Sequence, residues 1–355
     1  MQVLVEGSGG SSGWPQPGCR CASCLRKAAD GRTRMPSTIV VDGMVRLGVG
    51  TAEPRWAAGY QVGAIAGGWD VTGPDGGRLL YPGGPGAVPV PPEGAASYDI
   101  AFLDMLGDPT QLGLLRARGL ITAGTVTAVA FADHRVSSER ELARRCAFWQ
   151  VSVLGDGERV TSARSAQKGF KGSTGTRRVL VLGGARSGKS ERAELRLAGE
   201  PDVTYVATAA DGASDPDWAA RVAAHRARRP AWWRTAETTD LAGVLRAARG
   251  AVLIDGIGTW LAAVLDECGA WNEQGEDPAA AREKLAGRVA ELLGAWRQAG
   301  AYVVAVSDET GLGVVPATQA GRLFRDELGR LNQALAAESE EAELVVAGRV
   351  LPLGE

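Results

Sequence analysis

Apolar runs in the second half of the chain alternate with stretches of helical spacing. Five runs of three to five mainly apolar residues occur there: Val179–Leu182, Val203–Ala207, Ala251–Ile254, Tyr302–Val306 and Leu344–Val346. Such uninterrupted runs are typical of strands that are buried on both faces of a parallel sheet. Because helical patterns separate them, the sequence predicts βαβ units and an α/β fold with a mainly parallel sheet.

The first half of the chain has shorter apolar stretches separated by turns rich in glycine and proline. They predict a hairpin across Val71–Tyr81 and strands at Gln2–Val5, Thr38–Val41, Ile100–Leu103 and Thr125–Phe131. A Ser-Ser-Glu capping pattern predicts a helix from about Ser138 to Trp149. The composition of Pro82–Gly94 indicates a loop. We therefore expect this half to be β-rich.

A basic segment without apolar periodicity separates the two halves. Val160–Arg178 contains five basic residues and no acidic residue, together with many Ser, Thr and Gly. That composition is typical of a linker. We therefore expect one domain over residues 1–159, a linker over 160–177 and a second domain over 178–355, each long enough for its own core.

Composition and charge exclude several classes of protein. The 355 residues are 45% hydrophobic and 23% charged, which argues against disorder. The net charge of -2 gives no basic field for nucleic acid, and no apolar run reaches the roughly 18 residues of a membrane span. We expect a cytoplasmic protein with no nucleic-acid partner and no membrane insertion. Since His134 and His225 are the only histidines, a mechanism with three imidazoles is excluded.

A glycine-rich phosphate-binding motif follows the first apolar run of the second half. The pattern G-x-x-x-x-G-K-S is formed by Gly183, Gly184, Ala185, Arg186, Ser187, Gly188, Lys189 and Ser190. It lies between a predicted strand and a predicted helix, as in P-loop proteins. In such a loop backbone N–H groups bind phosphate, Lys189 would reach the β- and γ-phosphates, and the Ser190 hydroxyl would bind Mg²⁺. The alternative is a chance glycine-rich turn, although one of only five lysines falls here.

Two further residues are candidates for chemistry on a bound nucleotide. Asp255 follows a four-residue apolar run, where a strand end would place a Mg²⁺-binding carboxylate, and its alternative role is a helix cap. His225 lies on a predicted helix and is followed by Arg226, Arg228 and Arg229. An imidazole beside a cationic cluster can attack a polyphosphate. A half-buried histidine and a solvated helix end are the alternatives, and both stay open.

Residues 178–353 resemble the bifunctional adenosylcobinamide kinase/adenosylcobinamide-phosphate guanylyltransferase family. The resemblance is carried, in order, by GGARSGKS, YVATAA, AARVAAHRARRPAWWRTAE, LIDGIGTWLAAVL and a closing block that begins VSDETGLGVVP. It implies a P-loop fold, Mg²⁺, a homo-oligomer and two reactions. The first moves the γ-phosphoryl group of ATP or GTP to the hydroxyl of adenosylcobinamide. The second transfers GMP from GTP to the resulting phosphate through a guanylyl-histidine.

The same resemblance assigns roles to individual residues. His225 falls at the guanylylated position, Lys189 is catalytic, and Ser190 and Asp255 lie on the Mg²⁺ side. Glu237 would contact guanosine. The other nucleotide-site positions are Thr208, Ala209, Ala210, Arg226, Ala227, Arg228 and Arg229. The chain departs from the family's pattern in a longer connection after YVATAA and in an Asp255 where Glu can occur.

The first domain resembles metallo-β-lactamase-fold hydrolases, in particular phosphodiesterases of phosphonate and pyrroloquinoline-quinone pathways. The carriers are GSGGSSGWPQPGCRCASC, IVVDGMVRLG, VTGPDGGRLLYPGGPG and YDIAFLDMLGD. The catalytic H-x-H-x-D-H stretch is missing, which implies a truncated fold without hydrolase activity. Such phosphodiesterases hold a structural zinc with C-x-C-x-x-C and a later histidine, and the matching residues are Cys19, Cys21, Cys24 and His134. Unligated thiols are the alternative.

Two other functions stay open for the chain. A P-loop regulatory module would bind GTP and never form a covalent adduct. A metal-dependent phosphodiesterase led by the first domain would keep its activity after loss of Lys189.

Overall fold

The chain folds as two compact units. The computed structural model describes residues 1–50, 57–162, 177–208, 229–271 and 277–354. One unit is formed by Met1–Gly172 with Ala198–Pro201, and the other by Ser173–Leu197 with Asp202–Glu355. None of the helices in the described ranges is long and apolar enough to cross a membrane.

The first unit contains two β-sheets and three described helices. Its elements are β1 (Gln2–Gly7), α1 (Ala22–Ala29), β2 (Thr38–Val41), β3 (Val45–Gly48), β4 (Gln61–Ile65), β5 (Gly68–Thr72), β6 (Arg78–Pro82), β7 (Ile100–Leu103), α2 (Thr110–Ala117), β8 (Val126–Val129), α3 (Glu139–Trp149) and β9 (Arg159–Thr161). One sheet has the order β3-β2-β1-β9 and is antiparallel throughout. The other has the order β4-β5-β6-β7-β8, and only its β6–β7 and β7–β8 pairs are parallel.

An apolar core shared by both sheets explains why these short strands form. Val3 and Val5 of β1 are buried between more exposed neighbours, and Ile39 repeats this period of two in β2. These side chains pack in one cluster with Ile100 and Phe102 of β7. Since each sheet turns one apolar face to this cluster, neither sheet has to be covered on both sides by helices.

The predicted elements of the first half are present, with one difference at its end. β2, β7, the hairpin of β5 and β6, and the helix α3 capped by Ser138 confirm the sequence pattern. The expected linker starts too early, because β9 pairs with β1 through Val160 opposite Val3. Val160 is buried in this pairing, and one apolar residue among polar neighbours gave too weak a pattern for a strand.

The second unit contains a seven-stranded sheet. Its elements are β10 (Arg177–Gly183), α4 (Lys189–Leu197), β11 (Val203–Ala207), β12 (Arg234–Glu237), α5 (Leu241–Ala247), β13 (Ala251–Asp255), α6 (Ile257–Glu267), α7 (Pro278–Gln298), β14 (Tyr302–Asp308), α8 (Gln319–Ala337), β15 (Glu341–Val346) and β16 (Arg349–Leu353). The strand order is β12-β11-β13-β14-β10-β15-β16, and all pairs are parallel except β15–β16.

Apolar cores cover both faces of this sheet. Successive residues of β13 point to opposite faces, so Val252 packs in one cluster and Leu253 in the other. Burial on both faces is the reason why these strands appear in the sequence as continuous apolar runs. All five predicted strands are present, and the mixed α/β fold with a mainly parallel sheet is confirmed.

The strand register brings the carboxyl ends of five strands to one edge. Gly183 at the end of β10 lies opposite Asp308 at the end of β14. Asp255 at the end of β13 lies opposite Ala207 of β11, and Ala207 lies opposite Glu237 of β12. Ligands of open α/β sheets bind at this edge. They bind at the point where the connections from two adjacent strands run in opposite directions.

Candidate functional site

The glycine-rich loop adopts a conformation that requires glycine at Gly183 and Gly188. Arg186 and Gly188 have φ angles of 57° and 94°, in the left-handed region. A Cβ atom on Gly183 would lie 2.4 Å from the Ser187 Oγ and 2.7 Å from the Val345 carbonyl oxygen. The loop joins β10 directly to α4, so backbone N–H groups at the start of α4 face the loop. A loop of this kind binds phosphate through backbone donors and the positive end of the helix dipole.

Lys189 forms an ion pair with a carboxylate that the sequence pattern did not single out. Its Nζ lies 2.8 Å from Asp308 Oδ1, and the same ammonium donates to the Gly184 carbonyl at 3.3 Å. Asn332 fixes the end of β14 by donating to the Asp308 carbonyl at 3.0 Å. The available signal was an acidic residue two positions after the apolar run YVVAV, which is a weaker form of the signal that identified Asp255.

Asp255 lies beside the loop and accepts two hydrogen bonds. The Ser190 hydroxyl donates to Oδ1 at 3.1 Å, and the Tyr205 hydroxyl donates to Oδ2 at 2.8 Å. Burial, and after it the charge of Asp255, raises the pKa of Tyr205, so its hydroxyl stays a donor. The guanidinium of Arg229 stacks on the Tyr205 ring at 3.6 Å from the centroid. Tyr205 therefore connects Arg229 with Asp255, and nothing in the sequence pattern pointed to it.

The other predicted nucleotide-site residues divide into two groups. Thr208 is buried, and its hydroxyl donates to the Gly256 carbonyl at 2.7 Å. Gly256 is the residue that directly follows Asp255. Glu237 is exposed at the carboxyl end of β12. The remaining positions lie outside the described residues: Ala209, Ala210, His225, Arg226, Ala227 and Arg228.

A second constellation lies in the first unit. The sulfur atoms of Cys19, Cys21 and Cys24 and a ring nitrogen of His134 all lie within 4.8 Å of one another. The Cys24 Sγ is 3.7 Å from His134 Nδ1. Tetrahedral zinc with ligands at about 2.0–2.3 Å separates neighbouring ligand atoms by about 3.5–3.8 Å. The four side chains therefore fit a zinc ion after small adjustments.

Helix α1 and its contacts hold the cysteines near the histidine. The Cys21 thiol caps α1 by accepting from the Cys24 N–H at 3.4 Å, and this bond is the largest cause that lowers the pKa of Cys21. The Ser23 hydroxyl donates to the Val136 carbonyl at 2.6 Å. Lys27 pairs with Glu139 at the start of α3. Protein contacts thus dock α1 against the segment that carries His134.

The loop, the Lys189–Ser190 pair and the strand-end carboxylates define a P-loop nucleotide-binding protein. The family model described as cobinamide kinase / cobinamide phosphate guanyltransferase matches residues 179–353. The chain is 39% identical over 180 residues to the bifunctional adenosylcobalamin biosynthesis protein CobU of Salmonella typhimurium, covering 48% of this chain and 96% of that protein. It is 43% identical over 182 residues to the protein CobP of the same description from Pseudomonas aeruginosa, covering 50% and 96%. Through its second unit, the chain belongs to the cobinamide kinase/cobinamide phosphate guanylyltransferase family.

Solved structures show weaker likenesses. A Zn²⁺-bound PqqB from Methylobacterium extorquens is 15% identical, with 45% of this chain and 100% of that chain covered and a TM-score of 0.30. An ATPase of a bacterial type III secretion system is 12% identical, with 48% and 51% covered and a TM-score of 0.32. Likenesses at these TM-scores do not establish a common fold.

Proposed function

We propose that this enzyme phosphorylates adenosylcobinamide with ATP or GTP and then transfers GMP from GTP to the phosphate, giving adenosylcobinamide-GDP. The observation that carries the proposal is the convergence of Lys189, Ser190 and Asp255 at one sheet edge in a member of this family. The names of its relatives describe bifunctional proteins of adenosylcobalamin biosynthesis.

In the first reaction, the acceptor hydroxyl attacks the γ-phosphorus and the nucleoside diphosphate leaves. Lys189 binds the β- and γ-phosphate oxygens and stabilises the charge that develops on them. Because Asp308 pairs with the Lys189 ammonium, this carboxylate would compete with the phosphates for it. The Ser190 hydroxyl and the Asp255 carboxylate are oxygen donors 3.1 Å apart, a pair that suits Mg²⁺. When bound, Mg²⁺ would neutralise phosphate charge.

In the second reaction, a nitrogen of His225 attacks the α-phosphorus of GTP, the bond to the β-phosphate oxygen breaks, and pyrophosphate leaves. A phosphate oxygen of the acceptor then attacks the same phosphorus and releases the histidine. His225 is supported by the sequence alone, since it is the only histidine in residues 178–355. Splitting one difficult transfer into two in-line steps is the usual advantage of a covalent intermediate.

Incubation with GTP labelled at the α-phosphate, followed by peptide mapping, tests this function. We expect one acid-labile, base-stable adduct on His225, because phosphoramidates hydrolyse in acid. His225→Ala should abolish both the adduct and GMP transfer. GTP labelled at the γ-phosphate is the matched control, since its label leaves with pyrophosphate. A protein label that persists in His225→Ala would contradict the assignment.

We further propose that Cys19, Cys21, Cys24 and His134 bind a structural zinc ion, and that the first unit is a truncated metallo-β-lactamase-like fold without hydrolase activity. Three thiolates and one imidazole form a closed four-coordinate set, which leaves no position for water or substrate. The zinc would join α1 to the segment before α3, two elements that already contact each other.

Metal analysis of the purified protein tests the zinc site. We expect about one zinc per chain, with loss of the metal in Cys24→Ser and in His134→Ala. Cys268→Ser is the matched control, because Cys268 is a half-buried cysteine of the second unit, outside the cluster. Zinc-free protein from a zinc-replete preparation would contradict the proposal.

A further inference from the structure

An exposed apolar loop connects β14 to α8, and the proposed chemistry does not use it. Within residues 310–316, which we call the apolar loop, Leu312, Val314 and Val315 are 80%, 95% and 61% exposed. Single exposed apolar residues are ordinary on a protein surface. Three of them within four positions form a patch, and a patch of this kind marks a binding surface.

Hydrogen bonds hold both ends of the apolar loop. At its start, the Gly311 N–H donates to Oε1 of Glu309, the residue before the loop, at 2.8 Å. After it, Arg322 donates to the carbonyls of Pro316 and Ala317 at 3.0 and 2.8 Å. The exposed side chains thus extend from a segment whose ends are fixed by the protein.

The apolar loop begins next to the proposed point of phosphoryl transfer. Asp308 contacts the Lys189 ammonium, and Leu312 follows Asp308 by four residues, a reach of at most about 14 Å. An acceptor hydroxyl has to come within about 3–3.5 Å of the γ-phosphorus to react. The rest of a large acceptor therefore occupies protein surface around the γ-phosphate, and the surface next to Asp308 is part of it.

A second apolar feature borders the same carboxylate. A Cβ atom on Gly258 would lie 3.0 Å from Asp308 Oδ2 and 3.6 Å from the ring of Phe324. The Phe324 ring stacks on Trp271, with centroids 6.3 Å apart and planes at 27°. Both rings are partly buried, so aromatic surface lies near Asp308, and the apolar loop begins two residues after it.

We infer that the apolar loop and the Phe324–Trp271 pair bind the corrin macrocycle of the acceptor, and that they place its hydroxyl at Lys189. The inference rests on the proposed function. Residues 310–316 contain no charged side chain, so they offer no cation to the polyphosphate of a nucleotide, whereas their aliphatic side chains can pack against the methyl groups and ring carbons of a corrin. The loop therefore determines acceptor binding, whereas the glycine-rich loop determines nucleotide binding.

The test compares Leu312→Ser/Val314→Ser with Leu351→Ser, an exposed apolar residue of β16 that is 57% exposed. The readouts are KM and kcat for adenosylcobinamide phosphorylation, the Kd of a fluorescent GTP analogue, and the mass of the protein in solution. We expect the double variant to raise KM about 10-fold or more, which is the size of effect produced by removing apolar groups from a substrate pocket. Its nucleotide Kd and solution mass should equal those of the wild type, and Leu351→Ser should change none of the readouts.

Each other outcome overturns the inference in a different way. An unchanged KM in the double variant, with an active wild type, removes the loop from the acceptor site and leaves the proposed function standing. A raised KM together with a lower solution mass would make the loop an interface between copies of the chain. A wild type that phosphorylates no adenosylcobinamide overturns the proposed function and the inference together.

Discussion

The candidate sites of the two units are built by different means. In the second unit, Asp255 and Asp308 lie at the ends of parallel strands, and the register of the sheet brings them to the loop that carries Lys189. In the first unit, Cys24 and His134 are 110 positions apart, and a docked helix rather than a shared sheet edge brings them together. Parallel strands all end at the same edge, so topology alone assembles a site there. A site made of loops needs specific side-chain contacts.

The largest expected effect is on the free energy of unfolding of the second unit, where a buried carboxylate of β15 pairs with helix α4. Glu343 on β15 is 6% exposed and accepts from Arg192 and Arg196 of α4 at 2.8–2.9 Å. Glu343→Gln leaves two buried guanidinium groups without this charge, and removing one partner of a buried ion pair costs about 3–5 kcal/mol. The free energy of unfolding from urea titration checks this value. Glu340→Gln is the control, because the Glu340–Arg178 pair is 40% exposed on the Glu340 side and should contribute at most about 1 kcal/mol.

The same carboxylate gives a pH dependence with a definite sign. Burial alone would raise the pKa of Glu343, but the hydrogen bonds and charges of Arg192 and Arg196 outweigh it and lower the pKa below 4.5. Stabilisation by Glu343 is therefore complete above the ordinary carboxyl pKa and is lost as the pH falls through the lowered value of the folded state. The stability difference between wild type and Glu343→Gln should shrink below about pH 4.

How much the sequence predicts differs between the units for a physical reason. Continuous apolar runs and the glycine-rich motif identify the strands and the phosphate loop of the second unit, because burial on both faces leaves no polar positions. Tyr205 was missed because it occupies an apolar run. Its role depends on a hydrogen bond to Asp255 of the adjacent strand β13. Asp308 was missed although it ends a strand, because Ser307 separates it from the apolar run and no chemical role was assigned to the block VSDETGLGVVP that contains it.

In the first unit the strands β3, β4 and β9 and the helices α1 and α2 escaped the pattern. The burial of β4 follows no clear period of two. Helix α1 is capped by Cys21, and cysteine is not among the residue types that sequence rules recognise as helix caps. Only the resemblance to phosphodiesterases predicted that His134 lies near the cysteines, and the spacing of the residues alone could not. Contacts over such a long separation depend on tertiary packing that local patterns do not encode.

Replacement of Lys189 tests the role of the sheet edge in catalysis. Lys189→Ala removes the charge placed at the β- and γ-phosphates, so both reactions should slow about 10²–10³-fold. Rates of γ-phosphoryl transfer and of GMP transfer check the two reactions separately. Lys284→Ala, an exposed lysine of α7, is the control and should keep the wild-type rates. A wild-type rate for either reaction in Lys189→Ala would show that the two reactions do not share this site.

Metal chelation tests whether the proposed zinc ion cross-links the first unit. Chelation should destabilise this unit by about 2–4 kcal/mol, as for a cross-link that closes a loop of on the order of 100 residues. The corresponding fall in its melting temperature is about 5–10 °C. The apolar core of both sheets should keep the unit folded without metal. Guanylyltransferase activity should be largely retained, and its parallel loss would mean that the second unit depends on the zinc.

The smallest expected effect concerns the ion pair between Lys189 and Asp308. Asp308 is 42% exposed and Lys189 is 15% exposed, so their pair contributes at most about 1 kcal/mol. The carboxylate competes with phosphate for the Lys189 ammonium and repels the incoming negative charge. Asp308→Asn removes both effects while keeping the size of the side chain.

We therefore expect Asp308→Asn to bind Mg²⁺-free GTP about 2–5-fold more tightly than the wild type, and the gain should shrink as salt screens the charge. A fluorescent GTP analogue titrated at low and at high ionic strength measures both quantities. Asp326→Asn on α8 is the matched control, because Asp326 is similarly exposed at 49% and pairs with Arg325 instead. Weaker binding in Asp308→Asn would contradict the competition and would mean that Asp308 supports the bound nucleotide, as Asp255 is proposed to do.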